Sequence, residues 1–191
     1  MKNLNHQKGE GGIFSRQEEK TIVPEQLIVD VEICRPHVTL PEYVHIGDAG
    51  MDVRAAEDVE LAPGETVLVP TGLKFDLPLG WEIQVRPRSG LSLNTPLRLA
   101  NAPGTIDSGF KDELHIIVHN SSCHCQVAEE NKTAIFNVKS KGNKKGTYRI
   151  AAGDRIAQIL FAPVHQTQIR PVEKLQEHSP NRGGGFGHSG F

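Results

Sequence analysis

Residues 66–90 read TVLVPTGLKFDLPLGWEIQVRPRSG, and this stretch decides the fold class. Its β-branched and apolar runs are short, and proline or glycine interrupts them every few positions. That pattern is typical of short strands joined by turns. The same pattern occurs in residues 27–33 (LIVDVEI) and 155–164 (RIAQILFAPV). The sequence therefore predicts an all-β fold.

The stretch ELHIIVHN indicates a strand with one buried face. Leu114, Ile116 and Val118 occupy every second position, and His115 and His119 lie between them. Successive side chains of a strand point to opposite faces of its sheet, so this alternation predicts an apolar face towards a core.

Composition limits the size and class of the protein. The chain has 191 residues, with 19 glycines, 12 prolines and 5% aromatic residues. This length fits one domain with tails, and the frequent glycine and proline disfavour a helical bundle. The net charge of -2 provides no basic field, so no nucleic-acid partner is expected.

The sequence also predicts the compartment. It contains no apolar run of the roughly 18 to 20 residues that span a bilayer, and its first residues lack the features of a signal peptide. Three cysteines, Cys34, Cys123 and Cys125, are too few for a secreted disulfide framework. We expect a cytoplasmic protein with reduced thiols and no membrane partner.

Two segments differ from the strand-rich remainder. Residues 1–25 are polar without apolar periodicity, which predicts a flexible N-terminal tail. Residues 121–147 are polar at both ends and contain five lysines against two glutamates, with the strand-like TAIFNV between them. We expect this second segment to project as a hairpin whose charged residues face solvent.

Two patterns suggest chemistry that their context excludes. Residues 185–190, GFGHSG, match the dinucleotide-binding pattern, but that motif must open a helix and the sequence stops one residue later. His119, Cys123, His124 and Cys125 do not have the paired spacing of a structural zinc site.

Four further segments carry residues suited to phosphate chemistry. In RPRSG, Arg86 and Arg88 precede a turn with a hydroxyl and free backbone N–H groups, a combination that suits a polyphosphate. In DAGMD, Asp48 and Asp52 supply hard carboxylate oxygens that suit magnesium, although for this segment alone a polar turn between strands is the more ordinary explanation.

The other two segments are NAPGTIDSGF and GDRIAQ. In the first, Asp107 follows a Pro-Gly turn, where a rigidly held carboxylate can take a proton from water. In the second, Arg155 and Gln158 lie among apolar neighbours, and a solvent-facing pair is the ordinary explanation.

Taken in order, these motifs resemble those of the trimeric all-β dUTP pyrophosphatase (dUTPase) family, with RGGGFGHSG at residues 182–190 as the fifth. The resemblance covers residues 27–191 apart from 121–147. It implies a homotrimer of jelly-roll-like barrels, each barrel formed by residues 26–172. It also implies that residues 173–191 form a flexible C-terminal arm that closes over the active site.

The resemblance implies hydrolysis of dUTP to dUMP and pyrophosphate with Mg²⁺. Asp107 is similar to the general base that activates water for attack on the α-phosphorus, and Asp52 to the outer-shell anchor of the magnesium waters. The implied substrate contacts are Arg88, Ser89, Gly90 and Gln158 for phosphate; Asn101, Gly104, Thr105 and Ile106 for uracil; Phe110 for deoxyribose; and Arg182, Phe186, Gly187, His188 and Ser189 in the arm.

Two other functions compete with this one. A dCTP deaminase shares the architecture, but the position aligned with its proton-transferring glutamate is Ile117. A non-catalytic dUTPase-like protein could recruit an unknown protein partner through the lysine-rich segment 121–147. Binding a partner through this segment is compatible with catalysis. Catalysis and partner binding therefore both remain open.

Overall fold

The computed structural model describes residues 26–176. The predicted tail, residues 1–25, lies outside the described residues. So does the arm beyond residue 176, with the predicted site residues Arg182, Phe186, Gly187, His188 and Ser189.

The described chain consists of short strands, two 3-10 helices and one short α-helix. The 3-10 helices are His124–Gln126 and Glu129–Asn131, and α1 is Ser89–Asn94. The strands are β1 (Asp30–Ile33), β2 (Met51–Arg54), β3 (Val59–Leu61), β4 (Thr66–Pro70), β5 (Leu73–Asp76), β6 (Trp81–Pro87), β7 (Leu97–Leu99), β8 (Gly104–Asp107), β9 (His115–Asn120), β10 (Ile135–Asn137), β11 (Thr147–Ile150) and β12 (Arg155–Pro163).

These strands form four sheets. Their orders are β2-β12-β6-β8, β4-β9-β7, β10-β11-β3 and β1-β5. Neighbouring strands are mostly distant in sequence, so every sheet depends on long-range pairing. The prediction of an all-β fold is confirmed. Between residues 26 and 176, no helix has the length and apolar character needed to cross a bilayer.

Much of the core lies under the apolar faces of the sheets β4-β9-β7 and β2-β12-β6-β8. Leu114, Ile116 and Val118 are almost fully buried, as their alternation predicts. β9 lies between β4 and β7, with Val69 of β4 opposite Ile116. On the sheet β2-β12-β6-β8, Ile159 of β12 is also fully buried. Alternation thus places one face of each of these sheets on the core, and on the sheet β4-β9-β7 the other face carries exposed Leu68 and half-buried Ile117 beside polar residues.

Residues 121–147 do not form the expected projecting hairpin. β10 pairs in parallel with β11, which pairs antiparallel with β3. The ring of Phe136 packs against the ring of Tyr148, with 5.6 Å between their centroids. A Cβ at Gly146 would lie 2.8 Å from the Phe136 ring. The parallel pairing contradicts a projecting hairpin, and the half-buried Phe136 ring packs the segment against the domain.

The base of the segment is fixed by one buried amide. The Nδ2 group of Asn120 donates to the carbonyl oxygens of Leu61, at 3.1 Å, and Gly146, at 2.8 Å. Its Oδ1 accepts the N–H of Ser122 at 3.1 Å. A fully buried amide with these three bonds holds both ends of the segment at the sheet.

Candidate active site

Three of the motifs meet on the polar face of the sheet β2-β12-β6-β8. Asp52 on β2 lies opposite Gln158 on β12, and Gln158 lies opposite Arg86 on β6. The sequence neighbours of these three residues lie on the opposite, buried face; they are Val53, Ile159 and Val85. The antiparallel register therefore brings DAGMD, GDRIAQ and RPRSG into one row across three strands.

Asp52 is the centre of a charge cluster. The Nε group of Arg88 donates to its Oδ1 at 2.8 Å, and the Nη1 group of Arg155 donates to its Oδ2 at 3.2 Å. Arg88 also donates through Nη1 to the carbonyl oxygen of Arg155 at 3.2 Å. Only 17% of the Asp52 side chain and 24% of the Arg88 side chain are exposed. The carboxylate therefore fixes the orientation of both guanidinium groups.

A pocket of about 340 Å³ opens beside this cluster. Its walls include Asp48, Gly50, Asp52, Arg86 and Gln158. Gly50 fits closely in the wall, because a Cβ at this position would approach Cδ1 of Leu160 on β12 to 3.2 Å. The volume is within the usual range for small-molecule sites.

The first residues of α1 border the same region. Arg88 is the N-cap of this helix, and Ser89 and Gly90 follow as its first two exposed residues. Backbone N–H groups in the first turn of a helix have no partner inside the helix. Together with the fixed guanidinium of Arg88, they form a donor-rich turn that suits an anion.

Asp107 lies in a different environment. It is the last residue of β8, and its carbonyl oxygen accepts the N–H of Phe110 at 3.0 Å, which closes a tight turn. The Asp107 carboxylate is exposed, and it makes no hydrogen bond or ion pair with residues 26–176. The Phe110 side chain is 40% exposed. The turn thus presents a free carboxylate and an aromatic ring to solvent.

The remaining predicted uracil-binding residues precede Asp107. Gly104 is buried, and a Cβ there would lie 3.2 Å from Nδ2 of Asn101 and 3.3 Å from Cβ of Val85. Thr105 is exposed, whereas Ile106 is half-buried opposite Ile83. The absence of a side chain at position 104 therefore lets the Asn101 turn lie close against β6.

The two groups of residues do not meet within one chain. Asp107 lies opposite Glu82 on β6, four residues before Arg86. At roughly 3.4 Å per strand residue, that separation is about 14 Å along the sheet. The fold brings Asp52, Arg88 and Gln158 together and leaves Asn101, Asp107 and Phe110 in a second region.

The described carboxylates do not form a direct magnesium site. Within residues 26–176, no group of three or more His, Cys, Asp or Glu side chains could hold a metal ion. Both oxygens of Asp52 face guanidinium groups, and Oδ2 of Asp48 accepts the N–H of His45 at 2.9 Å. Mg²⁺ prefers several oxygen ligands or ordered waters, which this arrangement does not supply directly.

Sequence reasoning missed the role of Arg155. The pairing of β12 with β2 shifts register between Arg155 and Ala157, so Arg155 lies opposite Arg54 and Ala157 opposite Val53. This bulge directs Arg155 towards Asp52, as regular alternation could not. The only sequence signal was the Gly-Asp turn just before it, where an irregularity is common.

The fold and the site together define a class: all-β proteins in which a pocket lies beside an arginine cluster. A dUTPase family profile matches residues 37–135 and 132–190. The deoxyuridine 5'-triphosphate nucleotidohydrolase of Anaeromyxobacter sp. (strain Fw109-5) is 42% identical over 155 residues, which are 81% of this chain and 90% of that protein. The protein of the same name from Gloeothece citriformis is 36% identical over 80% of this chain and 89% of its own.

Solved structures of dUTPases superpose on this chain. Staphylococcus bacteriophage 80alpha dUTPase with dUPNHPP superposes with a TM-score of 0.74 at 30% identity, covering 87% of this chain and all of that one. A mutant dUTPase from phage phi11 of S. aureus, which coordinates a structural Mg(II) ion, has a TM-score of 0.70 at 27% identity, covering 79% of this chain and all of that one. The chain therefore belongs to the dUTPase family, and the family prediction is confirmed.

Proposed function

We propose that this protein hydrolyses dUTP to dUMP and pyrophosphate. Family membership supports the reaction. One observation carries the mechanism: the exposed carboxylate of Asp107 has no partner among residues 26–176, whereas that of Asp52 is held by two arginines. The Asp107 carboxylate is free to accept a proton. The Asp52 carboxylate orients the guanidinium groups of Arg88 and Arg155 for binding to a phosphate chain.

In this proposal the triphosphate lies against Arg88, Ser89, Gly90 and Gln158. Arg88 is already oriented by Asp52, so binding an anion requires little additional ordering of its side chain. The phosphate oxygens receive hydrogen bonds from the guanidinium group and from the N–H groups at the start of α1. Phosphoryl transfer depends mainly on such positioning and charge stabilisation.

Asp107 acts on water. Its carboxylate takes a proton from a water molecule, and the water oxygen forms a bond to the α-phosphorus. The bond from the α-phosphorus to the bridging oxygen breaks, and that oxygen leaves with pyrophosphate. A positioned general base supplies about a hundred- to ten-thousandfold in rate.

Base and sugar selection are assigned to the turn before Asp107. Asn101 and the backbone of Gly104, Thr105 and Ile106 present donors and acceptors to one edge of uracil. Cytosine exchanges donor and acceptor on that edge, so a fixed turn leaves polar groups unpaired. The half-exposed ring of Phe110 packs under deoxyribose, where it leaves no room for a 2'-hydroxyl.

A homotrimer completes the site in this proposal. Asp107 and Arg88 lie in separate regions of one chain, and in this proposal the substrate contacts two copies to reach both. The Asp107 turn of one subunit then faces the arginine cluster of another. Residues 173–191 close over the substrate, with Arg182 on the γ-phosphate and Phe186 on uracil, and with Gly187, His188 and Ser189 completing the loop.

Mg²⁺ enters this proposal with the substrate, as the magnesium complex of dUTP. The ion balances part of the triphosphate charge when bound. Asp52, whose oxygens already accept guanidinium groups, is proposed to contact only waters around the ion. A cytoplasmic location and a protein partner at residues 121–147 stay predictions.

A substrate panel tests the function. Pyrophosphate release is measured with dUTP, UTP, dCTP and dTTP, each with Mg²⁺ and with a chelator. We expect turnover of dUTP only, and a large decrease when the chelator is present. Ammonia release from dCTP would instead indicate the deaminase, and no turnover of any nucleotide at micromolar protein would refute an enzyme.

A further inference from the structure

A buried carboxylate lies directly before β12, in a turn that no proposed step uses. The Asp154 side chain is only 1% exposed. Its Oδ2 accepts the N–H of Ala151 at 2.9 Å, and its backbone carbonyl oxygen accepts the N–H of Ala55 at 2.9 Å. Gly153 donates to the carbonyl oxygen of Ala55 at 2.8 Å. The turn is therefore held against the end of β2, next to the charge cluster.

The second oxygen of this carboxylate faces the inserted segment. The Nζ atom of Lys139 lies 2.6 Å from Oδ1 of Asp154. The contact lacks the angles of a hydrogen bond, and within residues 26–176 Oδ1 has no hydrogen-bond partner. The geometry is that of an ion pair at the protein surface. The Lys139 side chain is 76% exposed, so a solvated ammonium covers a buried anion.

This ion pair adjoins Arg155, which belongs to the charge cluster around Asp52. Arg155 follows Asp154, donates to Asp52, and accepts through its carbonyl oxygen a hydrogen bond from Arg88. A shift of the turn moves both the Arg155 carbonyl oxygen and the Arg155 side chain. Asp52 and Arg88 then lose two of the contacts that fix their orientation.

We propose that Lys139 is a positioning residue for the phosphate site and that it acts through Asp154. The inference rests on the proposed function, because it concerns the same reaction. A buried carboxylate that has lost its counter-charge is costly, so the turn opens to water when the ammonium is removed. The inserted segment thus supports catalysis by holding the turn from which Arg155 extends.

The matched pair of variants is Lys139→Met and Lys141→Met. Both remove one lysine from the same segment, but Lys141 is exposed and forms no ion pair with the described residues. We expect Lys139→Met to raise KM for dUTP about tenfold, with kcat changed less than about twofold, and Lys141→Met to change neither. Lys139→Arg should restore most of the affinity.

A double-mutant cycle separates the ion pair from other effects of the lysine. In an Asp154→Asn background, the charge that Lys139 neutralises is absent. Lys139→Met should then raise KM less than about twofold further. An equal tenfold effect in both backgrounds would contradict action through Asp154.

Binding of dUpNHpp gives a readout that needs no turnover. Calorimetry should show about tenfold weaker binding for Lys139→Met than for Lys141→Met, with assembly size unchanged. Equal affinities of these two variants, or loss of the assembly in Lys139→Met, would overturn the positioning role. An unsubstituted chain that binds dUpNHpp but releases no pyrophosphate refutes the proposed function alone. A chain that does not bind it overturns both.

Discussion

Asp52 and Asp107 lie on opposite edge strands of one four-stranded sheet, in very different surroundings. Two guanidinium groups contact the half-buried carboxylate of Asp52. The carboxylate of Asp107 is exposed at the end of β8 and unpaired within the described chain. A charge-balanced carboxylate orients the cations around it, whereas a free one can exchange protons with water. The same residue type thus fits two roles because of its neighbours.

The largest effect is expected at Asp107. Asp107→Asn removes the proton acceptor without changing side-chain volume and should lower kcat by about a hundred- to ten-thousandfold. Affinity for dUpNHpp should stay within about twofold, because the phosphate site is unchanged. The control is Asp112→Asn, an exposed carboxylate nearby, which should leave kcat unchanged. Unaltered turnover in Asp107→Asn would contradict the assignment of Asp107 as the general base.

Mixing subunits tests whether the two regions meet between chains. Arg88→Ala and Asp107→Asn proteins, each nearly inactive, are co-refolded in equal amounts. If each site takes its arginine and its aspartate from different subunits, about a quarter of the sites regain both residues. Activity should rise to about a quarter of the unsubstituted level. Additive residual activity would indicate that one chain supplies both groups.

Asp52 should show a smaller effect of a different kind. Asp52→Asn leaves Arg88 and Arg155 without their shared anion, so both side chains must be ordered by the substrate instead. We expect KM to rise roughly ten- to thirtyfold with a smaller change in kcat. Steady-state kinetics of Asp52→Asn and Asp107→Asn, measured side by side, distinguish a change in KM from a change in kcat. A loss confined to kcat would place Asp52 among the reacting groups.

Glu113 extends the comparison to a paired carboxylate that is not among the proposed site residues. Burial raises its pKa, but a hydrogen bond from Arg35, at 2.7 Å, and the N–H of Gly72 outweigh burial and hold the pKa below its ordinary value of 4.5. Its contribution to stability is present above that ordinary value and is lost as pH falls through the folded-state pKa.

Glu113→Gln should therefore lower the free energy of unfolding near neutrality and leave kcat for dUTP unchanged. The difference in unfolding free energy between the two proteins should shrink as pH falls below about 4.5. Urea titrations at a series of pH values measure it. A difference that is independent of pH would show that the carboxylate charge contributes nothing.

The strands were predictable because their signal is local. Leu114, Ile116 and Val118 alternate along the chain, and they are buried as expected. The inserted segment was not predictable, since its parallel pairing with β11 depends on Phe136 reaching the Tyr148 ring. Arg155 was missed for a related reason. Its direction is set by a bulge, and that bulge forms only where β12 pairs with β2.

The order of the motifs and the chemistry of their side chains were determined by the sequence alone, because each motif is a contiguous run of residues. Whether a given carboxylate is neutralised or free was decided only by tertiary structure. Charge pairing depends on distances between strands that are far apart in sequence, such as Asp52 and Arg155. The same reason explains Lys139, which becomes a neighbour of Asp154 only when the inserted segment packs against the domain.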